Sequence, residues 1–101
     1  MNLSIVVLTW NDWKNTIDCL QSIIKSNYKN YDVILVDNNS DLKHINFIKK
    51  WQNKEISCNS KFVSPSNQRF KKIIEIKENE IIKQKEKDKQ NIFLIRNKKN
   101  Y

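Results

Sequence analysis

Residues 3–24, LSIVVLTWNDWKNTIDCLQSII, and residues 31–41, YDVILVDNNSD, decide the fold between them. The run LSIVVLTW is apolar without alternation and rich in β-branched residues, the pattern of a strand buried on both faces of a parallel sheet. Asn11 or Asp12 then offers an N-cap. Trp13, Ile17, Leu20 and Ile24 recur at helical spacing with Ile23 beside them, which predicts an amphipathic helix ending near Asn27. The stretch YKNYD, residues 28–32, is polar and turn-prone, and VILV after it reads as a second strand closed by Asp37. Strand, helix and strand in this order make a βαβ unit, with parallel strands and a right-handed crossover. The predicted class is α/β, built on a Rossmann-like parallel sheet.

Downstream, a second helix is expected from Ser40 or Asp41, with Leu42, Ile45, Ile48 and Trp51 on one face. From Asn53 to Gln68 the pattern fades into an Asn- and Ser-rich stretch containing Pro65, which reads as a loop or an insertion. Ile74 and Ile76 alternate with polar residues as in a short edge strand. ENEIIKQKEKDK, residues 78–89, has the composition of a solvated helix, and NIFLIRN, residues 91–97, is a last strand. The whole of 1–101 is read as a single domain, with a loop-rich charged segment at 53–90.

The chain contains no Gly, so its tight turns fall to Asn, Asp and Ser, of which Asn best tolerates the left-handed region. Fifteen Asn, fifteen Ile and seventeen Lys against two Arg follow the bias of AT-rich codons, which weakens any functional reading of the +8 net charge. Residues 61–101 carry twelve basic and five acidic residues, and this basic segment reads as a solvated surface. Cys19 and Cys58 have no metal-ligand spacing and are read as free thiols in a reducing, cytoplasmic compartment. The run Leu3–Leu8 is too short to span a bilayer and has no charged region before it.

In open parallel sheets ligands bind beyond the carboxyl ends of the strands. The residues there are Thr9-Trp10-Asn11, Asp37-Asn38-Asn39-Ser40 and Arg96-Asn97. Asp37 stands out because an ionised carboxylate only accepts hydrogen bonds and would pair with the imide N–H of uracil or thymine; a helix-capping or turn role is the competing reading. Trp10 would be an apolar wall against such a base or a core residue, and the N-terminus of the first helix would favour negative charge.

These residues resemble the opening of family 2 glycosyltransferases of the A-type fold, in which a strand ending in an aromatic-Asn pair leads to a helix and then to Val-Asp-Asn-x-Ser. The resemblance spans about the first 50 residues and NIFLIRNKKNY is similar to the family's next strand. It implies an incomplete A-type domain that binds a nucleotide diphosphate sugar of uridine or thymidine type through Thr9, Trp10, Asn11, Asp37, Asn38 and Asn97. Asn39 stands where the family usually has Gly. For the complete enzyme it implies a divalent cation, Mg or Mn, a glycan or lipid-linked acceptor, and peripheral association with a membrane.

The family's Asp-x-Asp is absent, since no two Asp residues lie two apart, and Glu78-x-Glu80 and Glu86-x-Asp88 read as solvated helix charges. No metal ligand or catalytic residue is therefore assigned, and the fragment is expected to be inactive alone. His44 is expected at the surface, Cys58 in a polar loop, and Trp13 and Trp51 in the core. A nucleic-acid-binding module is disfavoured by the lack of aromatics among Lys83–Lys89, so no nucleic acid is expected as partner. A receiver-like domain with Asp37 as phosphoacceptor would need more acidic residues than Asp12 after the first strand.

Overall fold

A computed structural model describes residues 3–26, 30–58, 68–76 and 90–97. The elements follow the order β1 (Leu3–Thr9), α1 (Trp13–Ile24), β2 (Tyr31–Asn38), α2 (Leu42–Gln52), β3 (Ile73–Ile76) and β4 (Ile92–Asn97). All strand pairs are parallel and the sheet runs β1-β2-β4-β3. The α/β class with a parallel sheet is thus as the sequence predicts, including β3 as a short edge strand. The 78–89 helix and the Pro65 stretch lie outside the described residues.

The connections β1-α1-β2 and β2-α2-β3 both advance in the same direction across the sheet, so right-handed crossovers put both helices on one face. The core is what that face encloses: Val7, Val33, Leu35, Ile92 and Leu94 from the strands meet Ile17, Leu20 and Ile24 of α1 and Ile45, Ile48 and Trp51 of α2. Strand β2 alternates buried and half-buried residues along its whole length.

The opposite face corrects one expectation. β1 is not buried on both faces: it is an edge strand, with Val6 59% and Leu8 76% exposed. An apolar run records composition and not which layers lie above it, and no described helix covers this face.

Three further boundaries shift. Tyr31 and Asp32 belong to β2 and not to a turn, because Tyr31 is buried in the core with its hydroxyl donating to the Ile23 carbonyl at 3.1 Å, and Asp32 Oδ1 accepts the Asn91 N–H at 3.2 Å. Helix α1 closes at Ile24, short of Asn27, where the Lys25 N–H bonds back to Gln21 and the Ser26 N–H to Ile23. Leu42, the first residue of α2, is exposed at the rim where the helix leaves the strand ends.

Trp51 is fully buried, as predicted, whereas Trp13 is half-buried and stacks on Phe47 at 4.5 Å. Trp51 also anchors the return of the chain. The Arg69 guanidinium lies 4.4 Å over the indole and donates to the Trp51 carbonyl. Next to it, Gln52 donates its amide to the Phe70 carbonyl and accepts the Phe70 N–H at 3.2 Å, so one side chain imitates a strand partner. Cys58 is buried rather than set in a polar loop, and its carbonyl accepts the Gln21 amide at 3.5 Å. His44 is half-buried on α2.

Candidate functional site

The register gathers the predicted site residues into two rows at the carboxyl ends of the strands. In one row Asp37 pairs with Thr9 on one side and with Arg96 on the other, and Asn38 pairs with Asn97 in the next. Because side chains alternate along a strand, successive rows face opposite sides of the sheet. Thr9 and Asp37 point into the helix layer and are buried, whereas Trp10, Asn38 and Asn97 line a shallow cleft of about 400 Å³ with Leu8 and Val36 on the other side. Trp10, 55% exposed, is a wall of this cleft and not part of the core.

Asp37 is 0% exposed. Its Oδ2 accepts the Ser40 N–H at 3.2 Å and the Arg96 Nε–H at 3.3 Å, while its Oδ1 takes no hydrogen bond from the described residues. The turn role weighed for this residue is thus made by Oδ2, through the Ser40 N–H. An unpaired buried carboxylate oxygen costs about 1–3 kcal/mol or more, and such a group marks a place where a donor belongs.

Ser40 is the joint of the site. Its N–H holds Asp37, its carbonyl accepts Arg96 Nη2 at 3.2 Å, and its Oγ accepts the Asn11 N–H at 2.8 Å. Asn11 reaches back, its Oδ1 accepting the Asp41 N–H at 2.8 Å. Both loops depend on left-handed residues, Asn11 at φ 46 and Asn39 at φ 61, so in this Gly-free chain Asn takes the turn positions, as the composition predicts. The Thr9 hydroxyl lies 2.7 Å from that of Thr16, whose own proton goes to the Asp12 carbonyl at 2.7 Å. Thr9 must then be the donor, and only its lone pairs remain for a ligand.

Ser40 and Arg96 stand among the strand-end residues that the sequence singles out, whereas Thr16, inside the predicted first helix, carries no such signal. Arg96 is one of only two Arg in the chain and lies one residue before the end of β4. Asp12 caps α1 in position without a side-chain cap bond, since its carboxylate accepts the Asn15 amide at 3.0 Å instead. Cys19 and Cys58 are both free, and burial pushes both thiols up, that of Cys58 with help from nearby Asp18 and against a smaller pull from Lys14. Among the described residues no three His, Cys, Asp or Glu converge as a metal site, and no helix is long and apolar enough to cross a membrane.

A parallel α/β sheet with helices packed on one face and polar loops beyond its strand ends defines a Rossmann-like domain. The model of glycosyl transferase family 2 matches residues 4–73, and the chain belongs to that family. Comparison with curated proteins and with solved structures found no match.

Proposed function

We propose that these residues form the nucleoside-reading part of a glycosyltransferase whose donor is a nucleotide diphosphate sugar of uridine or thymidine type. The observation that carries the reading is the buried Asp37 with one oxygen fixed by Ser40 and Arg96 and the other unpartnered among the described residues. A carboxylate held in this way accepts the imide N–H of uracil or thymine and opposes cytosine, whose ring N3 is itself an acceptor. Trp10, Asn38 and Asn97 line a cleft on the other face of the sheet, so their part in the reading rests on the family resemblance and not on proximity to Asp37. Membership of the family supports a sugar nucleotide as donor and a separate acceptor.

Nucleoside recognition, and not the transfer step, is assigned to these residues. The described side chains do not fit a divalent cation, so the Mg or Mn that the family resemblance implies is proposed to be held by other groups, and no step is derived through it. A cytoplasmic location and a glycan or lipid-linked acceptor at the membrane surface complete the proposal.

Calorimetric titration tests it. The 101-residue chain is expected to bind uridine or thymidine diphosphate, and Asp37→Ala to weaken that binding by at least tenfold, the equivalent of about 1.4 kcal/mol. Asp37→Asn keeps the shape without the charge and guards against a folding defect. Unchanged affinity in both variants, with circular dichroism like that of the wild type, would sink the assignment.

A further inference from the structure

We infer that Asn11 and Ser40 form a latch that aims the Asp37 carboxylate, so that Asn11 serves the nucleoside site as a positioning residue and not as a contact; this rests on the nucleotide reading of Asp37. Ser40 has each of its polar groups engaged by a different strand end: Asn11 after β1, Asp37 at the end of β2 and Arg96 near the end of β4. The two bonds between the loops, Asn11 N–H to Ser40 Oγ and Asp41 N–H to Asn11 Oδ1, are both 2.8 Å and join positions 29 and 30 apart in sequence. They run in opposite directions between the same two loops, so neither loop can slide without breaking both.

The carboxylate depends on this geometry. Its Oδ2 is held by the Ser40 N–H and by Arg96, which in turn grips the Ser40 carbonyl. Displacing Ser40 releases two of these contacts together and lets the carboxylate rotate about its last torsion, so that Oδ1 no longer points in one direction. The Asn11 side-chain oxygen Oδ1 is already taken by the Asp41 N–H, and its backbone N–H by Ser40 Oγ.

The test is a double-mutant cycle in the 101-residue chain, read as affinities for uridine diphosphate and cytidine diphosphate. Asn11→Gly accommodates the left-handed backbone and deletes the acceptor for Asp41; Ser40→Ala deletes only the acceptor for Asn11. Each single variant is expected to weaken uridine diphosphate binding about fivefold while leaving cytidine diphosphate nearly unchanged, and the double variant to be no weaker than the worse single one. Losses that multiply to about 25-fold mean that Asn11 touches the nucleotide independently, and they overturn the inference. Equal losses for both nucleotides, or no loss, overturn it as well.

If Asn11→Gly fails to fold, Asn11→Asp, which keeps an acceptor for the Asp41 N–H, is expected to retain the preference for uridine, and loss of that preference overturns the latch. Should the wild type bind neither nucleotide, the nucleotide reading falls by itself. The latch is then decided by amide exchange: slow exchange at Asp41 that becomes fast in Asn11→Gly supports it, and fast exchange in the wild type overturns it.

Discussion

The Asp37–Arg96 pair is where a single side chain matters most to both folding and binding. Asp37 has no exposure, and apart from Arg96 it is held by one backbone donor. Removing one partner of a buried pair costs about 3–5 kcal/mol, and since the Arg96 side chain is 29% exposed the lower end applies, about 3 kcal/mol. Arg96→Met should therefore lower the urea midpoint substantially, and adding Asp37→Asn should restore most of the loss because no bare charge remains. A double variant no more stable than Arg96→Met would show that the pair is not what stabilises this corner. Asp37 was legible in the sequence because an apolar strand ends on it. Arg96 was legible as a strand-end residue, but the pairing was not, because it joins residues 59 positions apart and exists only once β2 and β4 are in register.

At the scale of the element, the end of α2 repeats a Gly-less solution. Lys54 sits at φ 62 just past the helix, its N–H bonding to the Trp51 carbonyl at 3.0 Å and the Glu55 N–H to the Lys50 carbonyl at 2.8 Å. This is the Schellman arrangement, which usually has Gly where Lys54 stands. A left-handed residue with a Cβ costs roughly 1–2 kcal/mol, part of which Gly returns as entropy in the unfolded chain, so Lys54→Gly should stabilise the protein by about 0.5–1 kcal/mol. Equilibrium urea unfolding checks this, and a loss of stability would contradict it. Periodicity made α1, α2, β2 and β4 legible because each buries a stripe or a face against the others. The same reasoning overestimated β1 and Leu42, since whether a strand lies at the edge of a sheet, or a helix end at its rim, depends on strand order, which local pattern does not encode.

For the molecule as a whole, alkaline pH is the predicted weakness. Burial raises the Tyr31 phenol, against a smaller opposing hydrogen bond from Gln90, and raises the Cys58 thiol with the aid of Asp18. A group whose folded value is raised contributes stability that is complete below its unfolded value and is lost as pH climbs through the folded one. The urea midpoint should thus be level near neutral pH and fall above about 8.5, the ordinary thiol range, and again above about 10, that of the phenol. Cys58→Ala, in a Cys19→Ser background, should remove the first step and leave the second, whereas an unchanged profile would exclude the thiol as its source. The Gln52–Phe70 amide pair has a further consequence at this scale. It fastens two points 18 positions apart, with Arg69 on Trp51 beside it, so the chain leading to β3 is tied to the end of α2 before it reaches the sheet. Gln52→Ala removes both amide bonds at once and should therefore speed hydrogen exchange at the Phe70 N–H while leaving the strand ends where Asp37 sits as protected as before.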